Sequence, residues 1–221
     1  MNRDEIISLL LDKELRWNAN LSFSQDGEDL LMCNYLNMKR KGFYIDIGAL
    51  HPIRFSNTMM YYMKGWNGIN IDAMPGSMDL FKKYRKRDIN LEAGISNTGE
   101  SMTYYMYDEP ACNTFDADLV EERKKIGQVP ENSIEIPTYH IMDLLDKYLE
   151  PGKEIDILDI DIEGFDKCVI NDWNFEKYKP NIILFERSNN SDMTTHDRLL
   201  GQGYFVAATS KRNDIYVLNK E

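Results

Sequence analysis

Phe43-Tyr44-Ile45-Asp46-Ile47-Gly48 is a short, almost unbroken apolar run that ends on a glycine, and it reads as a buried parallel strand rather than a helix. Downstream, Asn57 to Lys64 has helical spacing and stops at Gly65, and Gly68-Ile69-Asn70-Ile71-Asp72 is a second strand closing, like the first, near an acid. Pro75 suits the first position of a helix reaching about Lys86, because its ring presets the helical φ. Asp88 to Ile95 is then a third strand. Strand and helix alternating in this way imply right-handed crossovers within one parallel sheet, half of a nucleotide-binding fold.

Upstream, Ile6, Ile7, Leu10 and Leu11 mark a helix over residues 4–17, and Ser24 to Glu28 form a polar entry to another ending near Met38. Residues 1–40 thus form a helical extension of a single domain spanning 1–221. The stretch 99–137 is less regular and reads as an insertion that shapes a substrate site. It offers strands at Met102–Tyr107 and Ser133–Ile136, with a long loop of helical content from Asn113 to Gly127 between them. A helix from Ile141 to Leu149 stops at Pro151-Gly152, and Ile155–Ile162 and Asn181–Phe185 are core strands. Two last strands, Gly203–Thr209 and Asp214–Asn219, flank the polar turn Ser210–Asn213 as an antiparallel hairpin. The expected fold is α/β, with a mostly parallel seven-stranded sheet ending in that hairpin and flanked by helices.

The 221 residues, 43% of them hydrophobic, can fill one such core. A formal net charge of −11 opposes binding to nucleic acid, whose phosphates demand an excess of Lys and Arg. The basic runs Lys82–Arg87 and Arg123–Lys125 read as solvated helix faces. Cys33, Cys112 and Cys168 show no CxxC spacing, which fits a reducing cytoplasm. Ile6 to Leu11 is too short for membrane insertion and can instead contact a second copy in a homo-oligomer.

Ligands of open α/β sheets sit beyond the carboxyl ends of the strands. There the chain offers Asp46-Ile-Gly-Ala and Asp72-Ala, whereas the run after Gly48 is Ala49-Leu50-His51-Pro52, not the glycine pattern that lets a pyrophosphate approach. A nicotinamide-dependent oxidoreductase is therefore disfavoured. S-adenosylmethionine carries no phosphate; its ribose diol and its ammonium are hydrogen-bond donors that strand-end acids can accept.

Several blocks in order, Ser24-Gln-Asp-Gly-Glu-Asp, Phe43-Tyr-Ile-Asp-Ile-Gly-Ala-Leu-His-Pro, Ser56-Asn-Thr, Gly65-Trp-Asn-Gly-Ile-Asn-Ile-Asp-Ala, Asn113-Thr-Phe and Asp159-Ile-Asp-Ile-Glu-Gly, resemble the FkbM family of methyltransferases. The resemblance covers roughly residues 22–190. It implies a class I, Rossmann-like methyltransferase fold, whose sheet also ends in a hairpin, and S-adenosylmethionine as donor. It further implies O-methylation of a sugar, as a nucleotide-linked sugar or a surface-polysaccharide precursor. Carried over by position, Gln25, Asp46, Gly48, Asn57 and Asp72 become donor-binding candidates, with Ser96 near the adenine. Family members often carry Lys where this chain has Asp159, which makes the pocket more acidic.

Asp159, Asp161 and Glu163 alternate along the fourth strand, so strand periodicity sends them to one side, and Glu186 closes the neighbouring strand. Desolvated carboxylates need cations, donors or protons. Asp159, Asp161 and Glu186 are thus candidate ligands of Mg²⁺ or Mn²⁺. Asp161, Glu186 and His51 are candidates to take the acceptor's proton, and Asn113, Thr114 and Glu163 candidates to hold the acceptor. A noncatalytic sugar- or donor-binding module of a glycan-assembly complex is the competing reading. It would keep Asp46 and Asp72 and dispense with the later acids.

Overall fold

The computed structural model describes residues 20–36, 39–187 and 193–220. The helix expected over 4–17 lies outside the described residues, and the next, expected to run to about Met38, ends at Cys33. The elements are α1 (Glu28–Cys33), β1 (Phe43–Ile47), α2 (Met59–Met63), β2 (Asn67–Asp72), α3 (Met78–Tyr84), β3 (Ile89–Glu92), β4 (Gly94–Ile95) and β5 (Ser101–Met106). A 3₁₀ turn at Pro110–Cys112 precedes α4 (Ala117–Lys125). There follow β6 (Asn132–Tyr139), α5 (Ile141–Tyr148), β7 (Ile157–Ile160), α6 (Asp166–Asp172), β8 (Ile182–Glu186), α7 (Thr194–Gly201), β9 (Tyr204–Thr209) and β10 (Asn213–Leu218).

Seven strands form one sheet in the order β3-β2-β1-β7-β8-β10-β9. All neighbours run parallel except β10, which is antiparallel to both β8 and β9. The mostly parallel sheet with a C-terminal hairpin is therefore as expected. The side chains sort by strand alternation. Ile45, Ile47, Leu158, Ile160 and Ile183 pack on one face against Leu145, Ile170 and Leu199 of the later helices. Tyr44, Ile157, Ile182 and Leu184 face the other way, against Met32 of α1 and Met60 and Tyr61 of α2. Among the described residues no helix is long and apolar enough to cross a membrane.

Three expectations need correction. The third strand, expected as Asp88–Ile95, is two: β3 pairs with β2, and after Ala93, whose N–H donates to Asp72 O, the chain leaves for a separate sheet ordered β4-β6-β5. Gly94 makes that crossing possible, since a Cβ there would lie 2.8 Å from Phe115 Cζ. In the small sheet Gly94 and Ile95 pair with Thr138 and Tyr139, so the insertion's two ends lie side by side. Second, Pro75 does not open α3; it sits in a turn with Gly76 at φ 79, which displaces the helix start to Met78. Third, the strand expected over Ile155–Ile162 stops at Ile160, and Glu163 takes a left-handed φ of 49, so it does not continue the alternation of Asp159 and Asp161.

α3 ends at Tyr84 and the next residue, Arg85, is fully buried. Its Nε donates to Pro52 O at 3.0 Å, one Nη to Tyr44 Oη at 3.0 Å, and the other to Ser56 Oγ and Thr58 Oγ1, both at 2.8 Å. Asp88 stands 3.8 Å away as counter-charge, itself accepting from Tyr44 Oη, Gly68 N and Asn70 Nδ2. Thr58 Oγ1 passes the connection on by donating to Asp46 at 2.7 Å. The guanidinium thus ties β1, β2 and the 52–58 loop behind the strand ends. Arg85→Met should cost about 3–5 kcal/mol, because it strands a buried Asp88 and several buried oxygens. Urea unfolding measures this, and a loss well under 1 kcal/mol would contradict the role assigned to Arg85.

Candidate active site

The turns after β1, β2 and β7 enclose a cavity of about 490 Å³ at the carboxyl edge of the sheet, and the small sheet and the 3₁₀ turn wall its far side. Gly48 sets its floor. Its φ is 85, and a Cβ there would fall 1.7 Å from the Asp161 carbonyl oxygen, so only glycine lets the turns after β1 and β7 touch. Leu50, with a strained φ of 51, points its N–H at Asp72.

Asp72 is held from both sides: Oδ2 accepts from Leu50 N and Oδ1 from Met74 N, each at 2.8 Å. Each oxygen keeps a further lone pair. Burial raises its pKa although those bonds pull the other way. A carboxylate fixed at the end of β2, beside a turn with no side chain at Gly48, fits a ribose diol approaching along the backbone.

Of the donor-binding candidates, Gln25, Asp46, Gly48, Asn57 and Asp72 all line the cavity. Ser96 is not among the lining residues. It follows β4, not β3, and its hydroxyl bonds Thr138 Oγ1 and accepts from Thr98 N and Gly99 N, tying a turn. His51 is likewise spent locally, its Nδ1 accepting from Ile53 N and Arg54 N, while burial and the Arg54 charge lower its pKa. Among the acceptor candidates Asn113 and Glu163 line the cavity, but the Thr114 hydroxyl donates to Glu163 O at 2.6 Å behind the wall.

The acids differ in environment. Burial pushes Asp46 up to about 6 against the Thr58 hydrogen bond and the Arg85 charge. Asp159, beside it, is raised well above the usual carboxylate range by burial and then by Asp46. Asp161 remains solvent-exposed along its cavity face, yet the surrounding walls and then Asp166, Glu163 and Glu186 raise it too. Glu186 is pushed to about 7 by burial and the nearby charges of Glu163 and Asp166, with Arg123 and Arg212 opposing. Glu163 is paired with Arg123. The turn itself is tied by Asp166, which accepts from Ile162 N and Gly164 N.

Among the described residues no group of three or more His, Cys, Asp or Glu side chains is placed to hold a metal ion. The arrangement of Asp159, Asp161 and Glu186 thus lends the expected Mg²⁺ or Mn²⁺ site no support. The physical reason is the early end of β7: Asp159 is buried within the strand beside Asp46, while Asp161 and Glu186 lie beyond the strand and at the end of its neighbour.

Sequence reasoning missed Arg123, read as part of a solvated face. It clamps the wall by donating to Cys112 O and Glu163, and the signal was its place three residues after Val120, the buried position of α4. It also missed Glu28, buried under Ser210 and Asn213, and the cavity-side pair Arg54–Glu109 at 2.6 Å. Tyr104 and Phe115, with ring centroids 4.7 Å apart, form the aromatic wall.

The family model described as the methyltransferase FkbM domain matches residues 46–206, well over half of the chain. No curated protein matches significantly. Among solved structures, a precorrin-6y C5,15-methyltransferase from Geobacter metallireducens GS-15 is similar at 13% identity and TM-score 0.41, covering 95% of this chain and 88% of that one, too loosely to carry argument. With the match beginning at Asp46 and running through the cavity acids to β9, the chain belongs to the FkbM methyltransferase family.

Proposed function

We propose that the protein moves a methyl group from S-adenosylmethionine to a hydroxyl of a sugar, presented as a nucleotide-linked sugar or a surface-polysaccharide precursor. The observation that carries the donor half is Asp72, fixed by two backbone N–H groups beside the side-chain-free turn at Gly48. S-adenosylmethionine, when bound, supplies an electrophilic methyl. The protein's share is alignment and removal of the acceptor's proton.

Glu186 is the residue we assign to that proton. It lines the cavity, its carboxylate has no hydrogen-bond or ion-pair partner among the described residues, and pushed to about 7 it is poised between proton acceptor and donor at neutral pH. Asp161, also open to the cavity, can accept a hydrogen bond from a second hydroxyl and orient the sugar. Tyr104 and Phe115 offer the flat apolar surface on which a sugar ring packs. Arg123 keeps Glu163 from competing for the acceptor by pairing with it.

Two outcomes are expected. Isothermal titration with S-adenosylhomocysteine should show micromolar binding, weakened about 100-fold in Asp72→Ala by loss of two charge-assisted hydrogen bonds. Absence of binding by the wild type would sink the proposal. Methyl transfer to a panel of nucleotide-linked sugars should fall as pH drops below about 7, because Glu186 must be unprotonated to act. Glu186→Gln should lower kcat about 100-fold and abolish that acidic limb with S-adenosylhomocysteine affinity retained. An unchanged pH profile would remove Glu186 from the role.

A further inference from the structure

Strand register sets Asp46 of β1 directly opposite Asp159 of β7. Both side chains leave the sheet on the α1 and α2 side, as Tyr44 and Ile157 two residues earlier on each strand do. Only 3% of Asp46 and 4% of Asp159 is exposed. Two carboxylates side by side and nearly dry repel each other, and each has given up its water.

Their satisfaction is unequal. Asp46 accepts from Thr58 Oγ1 and stands in the field of Arg85 behind it. Asp159 has the nearby Asn57 side chain to favour its ionised form, while its Oδ1 is buried with no hydrogen-bond partner. Asp159 nevertheless borders the cavity, as do Asp46 and Asn57. Of the cavity's arginines, Arg54 and Arg123 are tied to Glu109 and Glu163, and the charge of Arg212 acts on Glu163 and Glu186. Eight acids line this cavity against three arginines, so a positive ligand is what its walls lack.

We propose that Asp159, together with Asp46, is the seat of the donor's α-ammonium group, an assignment that rests on the methyltransferase reading above. Of the donor's two cationic centres the sulfonium has no N–H, whereas the ammonium has three donors and can satisfy the partnerless Oδ1 by charge and hydrogen bond together. The spacing agrees. Asp72 and Asp159 lie on the strands either side of β1, two strand spacings across and two residues along, since Asn70 is the residue level with Asp46 and Asp159; at about 12 Å between backbones, the two carboxylates can bracket the donor from its ribose to its amino end. The seat leaves Asp161 and Glu186 free for the acceptor.

The test uses three probes on the full chain by titration calorimetry: S-adenosylhomocysteine, its decarboxylated form, which keeps the amine, and 5′-methylthioadenosine, which lacks the whole amino-acid arm. Asp159→Asn should bind the first two at least about tenfold more weakly than wild type and the third within about twofold. The ligand-free variant should melt no lower than wild type, because a buried carboxylate without a cation is lost. Equal weakening for all three probes, an unchanged affinity for the amine-bearing pair, or a lower melting temperature would each overturn the assignment. Asp46→Asn, read with the same probes, should weaken the amine-bearing pair and spare the third in the same way. Wild-type protein that binds none of the three overturns the methyltransferase reading itself, whereas binding insensitive to the arm overturns only the seat.

Discussion

A guanidinium that has lost all its water is tolerable only if its N–H groups find acceptors, and Arg85 meets that demand by drawing its partners from sequence-distant places. Pro52, Ser56 and Thr58 on one loop, Tyr44 on β1 and Asp88 before β3 are all held by one side chain. The functional consequence lies one step further, where Thr58 donates to Asp46. A group with no place in the cavity thus fixes the orientation of an acid that has one. The floor of the cavity hangs instead on backbone contact, through the abutment of Gly48 on Asp161.

The cavity is electrostatically unfinished. Burial and mutual repulsion raise the pKa of Asp46, Asp72, Asp159, Asp161 and Glu186 together. Such a set holds protons until a cation or a hydrogen-bond donor arrives, and ligand binding and proton release are then linked. The arrangement suits a reaction whose donor is cationic and whose acceptor must lose a proton. Stability given up at these strand ends is offset by the apolar packing on the two sheet faces.

How much of this was legible in the chain depended on whether the cause was local. β1, β2, α5 and the closing hairpin announced themselves through unbroken apolar runs, period and turn residues, and the order of the acids placed Asp46 and Asp72 at strand ends. The split of the third strand was not legible, because Ala93-Gly94 leaves the sheet only when Phe115 and Thr138, far along the chain, offer another edge. The three acids of the fourth strand misled for a similar reason: periodicity holds only while the strand lasts, and β7 ends at Ile160. Arg85 lay unseen inside a basic run, since nothing local tells a buried guanidinium from a solvated one.

The small sheet enters and leaves the scaffold at one doorway, where Gly94 and Ile95 pair with Thr138 and Tyr139. Because the ends of the insertion already touch, lengthening or shortening what lies between them changes the closure entropy only slowly and leaves the seven-stranded sheet undisturbed. Tyr104, Asn113, Phe115 and Arg123 all belong to that interval, whereas Asp46, Gly48, Asp72 and Asp159 do not. The half of the cavity proposed to take the donor and much of the wall proposed to meet the acceptor therefore sit on separable segments of the chain. A lineage can exchange one acceptor for another by redrawing residues 96–137 while the chemistry of the donor stays where it is.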